Sequence, residues 1–267
     1  MNRLTKFIIL IVLSMSVYFI YQDNYNKTTK ILNLGDSLSL GINSYGIKEC
    51  SYVDLYKEYL KKENKKITIN SNYSNKELSI KELLEKIKTN PKLKRDLSEA
   101  HILFLTVGYN DLLYQLSIEE NLNQNKIDKI TKEISNNYKT LLEEIRKYYK
   151  NNIIVIGYFP SNKEDYYLNY GIRKLNNLLE TTKKIEYIDT YQLASNRKKY
   201  FSNPNSYYPN LEGYQAITKK IIEKTLEKQE NIWYINNAFN YYDKYFVMAE
   251  GEIVWKKKYI QKQKNVK

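Results

Sequence analysis

Lys30-Ile31-Leu32-Asn33-Leu34-Gly35-Asp36-Ser37-Leu38-Ser39 is the stretch around which the chain is organised. Its first half reads as a short buried strand, apolar residues bounded by polar ones. Its second half turns at Gly35 and presents a serine, followed by a loop with two glycines, Gly41 and Gly46. An open α/β sheet places its ligand site just beyond the carboxyl end of such a strand. A serine there is an exposed nucleophile if a base reaches it. Taken alone, the same residues also describe a strand-end turn with a capping serine.

Working outward, apolar strands alternate with amphipathic helices. Helices are predicted over Tyr52–Lys62, Ile80–Lys88, Pro91–Leu97, Lys126–Tyr149, Tyr166–Thr182 and Leu211–Lys228, and strands over Lys66–Asn70, His101–Val107, Asn152–Gly157 and Ile185–Ile188. Ser79, with Glu82 three residues on, predicts a capping box at the start of the second helix. Strands that are apolar throughout belong to a parallel sheet covered on both faces. A further pair, Tyr245–Ala249 and Glu252–Trp255, predicts a hairpin across Glu250-Gly251.

Residues 1–29 read as an amino-terminal segment and tether. Arg3 and Lys6 precede Phe7–Tyr21, a mostly apolar run of 15 residues. That is the layout of a signal anchor or a secretory signal. No small-x-small cleavage site follows, so an uncleaved single-pass anchor is expected, with the rest of the chain extracytoplasmic. Secretion after cleavage is the alternative. The body spans 30–228, and 229–267 carries the hairpin and a tail with six lysines and no acid after residue 255.

The chain has 267 residues and a net charge of +13. Arg3 and Lys6 are the only charges before residue 22, which leaves +11 for the remainder. A basic surface suits an anionic neighbour. Nucleic acid is not expected as a partner; the tail is expected to be solvated and without a partner, with contact to an anionic membrane surface as the alternative. One cysteine and one histidine exclude an intrachain disulfide and a zinc-type cluster. No GxGxxG or GxxxxGK[ST] element is present, so no nucleotide, metal or other cofactor is expected.

Three stretches then combine: Gly35–Ser39 after the first strand, Gly108-Tyr109-Asn110-Asp111 after a central one, and Tyr208-Pro209-Asn210 with Gly213-Tyr214 before the last helix. In order and spacing this resembles the SGNH/GDSL hydrolase family over roughly residues 30–228. The resemblance implies a three-layer, flavodoxin-like α/β fold: a parallel sheet of about five strands with helices on both faces. It implies esterase or lipase-like chemistry on an ester of lipid or acylated carbohydrate. Ser37 would be the nucleophile, and its main-chain N–H and the Asn110 amide would hold the oxyanion. Gly108 would allow a tight turn beneath the site. Asp36, Leu38, Ser74, Asn75 and Asp111 flank these groups and are the candidate substrate-binding residues.

Two departures qualify this. The family's glycine block falls on Tyr73–Leu78, which holds no glycine, so a main-chain donor would come from Ser74 or Asn75. Where the family carries Asp-x-x-His before proline, this chain has Asn205-Ser206-Tyr207-Tyr208. The base position is therefore Tyr208 and the orienting acid position Asn205. A phenol, with a reference value near 10, is a poor proton acceptor at neutral pH. The lone His101 starts the central strand and is expected at the opposite end of the sheet from Asn110. The alternative reading is a catalytically silent pseudohydrolase that binds a glycan or acyl group.

Overall fold

A computed structural model of the chain describes Met15 and residues 28–43, 45–62, 66–160, 165–201, 203, 206–226, 246–249 and 252–255. The apolar run 7–21, apart from Met15, lies outside the described residues, as do Asn205 and the lysine-rich tail. Among the described residues no helix is long and apolar enough to cross a membrane.

The body is one five-stranded sheet. Its strands are β1 (Thr28–Gly35), β2 (Lys66–Asn70), β3 (Ile102–Thr106), β4 (Ile153–Ile156) and β5 (Ile185–Ile188). Their spatial order is β2-β1-β3-β4-β5, every neighbour parallel. The register pairs Ile31 with Ile102 and Gly35 with Thr106, so β1 and β3 end level with one another. This order reverses direction between β1 and β3, the switch point where a doubly wound sheet opens a crevice.

Strand alternation sorts the core into two layers. Leu32, Leu34, Leu103, Leu105, Ile153 and Val155 face one side. They are covered there by α3 (Ile80–Thr89), α4 (Pro91–Glu99), α6 (Gln124–Tyr148) and α7 (Tyr166–Thr181), with α5 (Tyr109–Ile118) contributing Leu112. Ile31, Phe104, Ile154 and Ile156 face the other side, against α2 (Tyr52–Lys61) and α9 (Leu211–Leu226). The 25-residue α6 buries the stripe Ile127, Ile130, Ile134, Tyr138, Leu141, Leu142 and Ile145, the spacing of one helical face. Two further short elements are α1 (Ser37–Leu40) and α8 (Arg197–Tyr200), the latter preceded by a 3₁₀ turn at Tyr191–Asn196. A separate antiparallel pair, β6 (Phe246–Ala249) and β7 (Glu252–Trp255), aligns Phe246 with Trp255 and Ala249 with Glu252, the hairpin register predicted.

One local expectation changes, and three short elements join those predicted. Ser79 does cap α3, accepting from the Glu82 N–H, but the Glu82 carboxylate turns away to Asn75 and Lys86 and leaves the box open. The complete capping box lies at Ser51 and Asp54, opening α2. Gly108–Asp111 leads directly into α5, and the loop after β5 holds the 3₁₀ turn and α8; neither shows a clean apolar period in the sequence.

Candidate active site

The end of β1 is built by close approach. A Cβ on Gly35 would stand 2.5 Å from Ser39 Oγ and 3.1 Å from the Thr106 carbonyl of β3. Glycine is the residue that fits there. Asp36 then caps α1: its carboxylate accepts from the Leu38 N–H at 3.0 Å, while its own N–H donates to Thr106 O at 3.0 Å. Asp36 is 2% exposed. Burial pushes its carboxyl from an ordinary 3.8 up to about 7, against the main-chain N–H bonds from Leu38 and Ser39 that pull it down. Asp36 is therefore tied into the turn, and Ser37 opens the helix beside it.

Ser74 fastens this turn to the segment after β2. Its hydroxyl donates to Asn33 O at 2.8 Å and accepts from the Gly35 N–H at 3.0 Å. Asn33, fully buried inside β1, donates to Ser71 Oγ at 3.2 Å and to Ser39 O at 3.3 Å. Asn75 makes an Asx turn, accepting from the Glu77 N–H and donating to Glu82.

The end of β3 carries the second block. Gly108 has φ +116°, a conformation that side-chain-bearing residues rarely adopt. It caps α5, which brings Asn110 and Asp111 to the cleft side of the sheet. Both Asp111 oxygens accept from the Ile80 N–H, at 3.0 and 3.2 Å, so this carboxylate sits on the amino terminus of α3. Burial raises its carboxyl above the ordinary range.

These ends enclose a cavity of about 220 Å³. Asp36, Ser37 and Leu38 line it from the β1 turn, and Lys76 and Glu77 from the segment after β2. Tyr109, Asn110 and Leu113 contribute from α5, Tyr158 and Phe159 from the end of β4, and Tyr207 and Tyr208 from the loop before α9. The structure thus brings Ser37, Asn110 and Tyr208 to one cleft. Ser74, Asn75, Gly108 and Asp111 lie behind it, holding its frame. Asn205 lies outside the described residues.

Two details of the cleft bear on chemistry. The Ser37 hydroxyl makes no hydrogen bond among the described residues. The Asn110 amide donates to Lys76 O at 3.3 Å and to Leu78 O at 3.2 Å. With two hydrogens and two acceptors that group is fully engaged. Donation to an oxyanion would require it to release one carbonyl. Tyr208 is half-buried, its main-chain N–H donating to Ser206 Oγ at 3.0 Å. Arg197 pins this loop, donating to Ser206 O and, at 2.9 Å, to Pro160 O, with its guanidinium 4.4 Å from the Phe201 ring centre. His101 lies at the other end of β3, exposed, its Nδ1 accepting from the Lys30 N–H at 3.1 Å.

The residues that sequence reasoning missed are the walls: Lys76, Glu77, Tyr109, Leu113, Tyr158, Phe159 and Tyr207. The signal available was position, since each follows the carboxyl end of a strand or lies in the loop that closes the crevice. Asn210 caps α9, its side chain accepting from the Gly213 N–H at 2.9 Å, which gives the Pro209–Tyr214 block a structural reason.

The family model of the GDSL-like lipase/acylhydrolases matches residues 31–221. The spore germination lipase LipC of Bacillus licheniformis is 25% identical over 205 residues, covering 73% of this chain and 95% of that protein. Among solved structures, the lipase Lip_vut3 from a goat rumen metagenome superposes with a TM-score of 0.62 at 24% identity, covering 73% of this chain and 97% of its own. A catalytic mutant of Axe2, an acetylxylan esterase from Geobacillus stearothermophilus, gives 0.52 at 16% identity, covering 74% and 95%.

Proposed function

This chain belongs to the GDSL-like lipase/acylhydrolase family, and on that premise we propose that it is a membrane-tethered, extracytoplasmic hydrolase-like protein whose cleft takes an ester. The observation that carries the reading is the meeting of Ser37, Asn110 and Tyr208 in one cavity at the β1/β3 switch point. In this reading Ser37 Oγ attacks the ester carbonyl and gives its proton to an unconventional base, a lysine or a bound water, which returns it to the oxygen of the departing alcohol. The alkoxide formed from the carbonyl oxygen is held by the Ser37 N–H and by Asn110. Collapse expels the alcohol and leaves an acyl-enzyme, which water then cleaves.

A second reading, a silent pseudohydrolase that binds the same ligand, is favoured by three features. The Ser37 hydroxyl makes no hydrogen bond among the described residues, the base position holds Tyr208, and both Asn110 donors are engaged. Oxyanion stabilisation and binding without a triad leave about 10³–10⁴-fold over water. A serine-reactive fluorophosphonate decides between the two. Labelling of the purified 28–267 chain that is lost in Ser37→Ala is the hydrolase result; absence of labelling at every pH from 6 to 10 is the pseudohydrolase result.

The membrane tether rests on the apolar run 7–21 behind Arg3 and Lys6, and the anionic-surface partner on the six lysines after residue 255. Protease added to intact cells should digest the body and spare the amino terminus. Binding of 28–267 to vesicles should rise with anionic lipid and fall with salt; binding indifferent to both removes the tail from the reading.

A further inference from the structure

We propose that the end of the sheet opposite the cleft is a docking face for anionic lipid headgroups, which holds the cleft pointing away from the bilayer. The inference rests on the tether reading above and goes beyond it, since it assigns the contact to the folded body and gives that body an orientation.

In a parallel sheet each crossover returns to the same end before the next strand starts. The four connections that do so here are 62–65, 100–101, 149–152 and 182–184. They carry five lysines and one carboxylate, Glu63. The connections at the cleft end, 36–51, 71–79, 107–108, 157–165 and 189–210, carry six cations and six carboxylates. Among connecting residues the positive excess therefore sits at one end. Helix dipoles favour lysine in a last turn, but these lysines lie beyond the last helical residue. Lys66, Lys183 and Lys184 are exposed and have no carboxylate partner among the described residues. Lys150 is exposed too, its ammonium donating to the carbonyls of Arg146 and Lys147 and not to an acid.

This end is braced. Arg146 donates to the carbonyls of Tyr149, Asn151 and Lys184, which joins two of the connections. The Tyr149 hydroxyl donates to His101 O and Asn152 O, which joins a third. The chain also enters and leaves the body here. Thr28, the first residue of β1, pairs with Lys66. α9 starts beside the cleft, where Tyr214 donates to Ile42 O, and ends with Lys224 in a groove that Ile185, the first residue of β5, also lines. The apolar run 7–21 and the lysine-rich tail are thus both attached at the basic end. A layer of negative headgroups complements that face. The eight residues of β1, at ~3.3 Å each, then set the cleft about 26 Å away from it.

The test reconstitutes the full chain in vesicles of phosphatidylcholine, with or without phosphatidylglycerol. A fluorophore is placed at the basic end through Asn151→Cys or at the cleft end through Tyr45→Cys, both exposed; the native Cys50 is buried. Quenching by spin-labelled headgroups reads contact. The label at 151 should be quenched on anionic vesicles and not on neutral ones, and the label at 45 on neither. Each lysine at such a surface shifts the docking equilibrium about fivefold. Lys150→Gln, Lys183→Gln and Lys184→Gln together should therefore shift it about a hundredfold toward the undocked state, with the tail retained and the melting temperature unchanged. Added salt should act in the same direction. Equal quenching at 45 and 151, or quenching at 151 that survives the triple variant, overturns the proposal and leaves the tether reading standing. Binding of soluble polyphosphate without quenching on anionic vesicles makes the face a polyanion site and overturns it as well. A full chain that fails to float with either vesicle in high salt defeats the tether reading instead, and quenching at 151 on anionic vesicles in low salt still decides this one.

Discussion

Replacing Asp36 with asparagine should make the protein more stable at pH 8 and leave it unchanged near pH 4. The wild-type carboxyl is 2% exposed, and burial holds it at about 7 in the folded chain, against an ordinary 3.8. Between those values the folded state keeps a proton that the unfolded state has lost. Stability therefore falls as pH rises through this window and levels off above it. Roughly three units at about 1.4 kcal/mol each make about 4 kcal/mol, a large share of the 5–15 kcal/mol that a typical domain has. Asparagine caps a helix as well as aspartate does and can still accept from the Leu38 N–H, but it does not titrate. Urea midpoints of both proteins, measured at half-unit steps from pH 4 to 8.5, give a difference curve from which other titrating groups cancel. That curve should open in favour of Asp36→Asn from about pH 4 and flatten above 7. A level curve, or one that favours the wild type as pH rises, refutes the claim that desolvation dominates this carboxyl.

The joint change Asn205→Asp with Tyr208→His should raise esterase activity on a short acyl-nitrophenyl ester at least ~10²-fold, the scale of a positioned general base. A folded double variant that gains nothing would mean either that this loop does not align with the family's Asp-x-x-His block or that the Asn110 donors fail the oxyanion. Gly108→Ala forces a side chain into φ +116°; a cost of about 1–3 kcal/mol should appear as a melting temperature several degrees lower by circular dichroism, and an unchanged one would contradict the strain argument. Ser74→Ala orphans the Gly35 N–H and the Asn33 carbonyl. The urea midpoint should fall by the equivalent of about 1–3 kcal/mol, and no fall would mean the clip carries no load.

The sheet was readable because the central strands are largely apolar runs, uninterrupted in Ile153–Ile156 and broken between Ile31 and Leu34 only by Asn33, and because polar residues punctuate the runs. The reading stopped where packing, and not period, decides. α5 begins on Tyr109-Asn110-Asp111 and buries only Leu112, so no stripe betrays it. Ser37, Asn110 and Tyr208 could be placed together because each sits in a block that resembles one of the SGNH/GDSL family's motifs. Ser74 and Asp111 could not be assigned their framing roles, since their partners, Gly35 and Ile80, lie 39 and 31 residues away. Tyr158 was invisible for a different reason: among 28 tyrosines, nothing in the sequence separates one that lines the cleft from those that do not.

The two carbonyls held by Asn110 carry a kinetic consequence. A ligand oxygen that engages this amide competes with Lys76 O or Leu78 O for one of its two hydrogens, so encounter and accommodation become separate events. Observed association rates should then climb with concentration and reach a plateau set by the side chain's escape. Shortening that wait, by loosening the chain between Lys76 and Leu78, would hasten uptake without adding a single contact to the bound molecule.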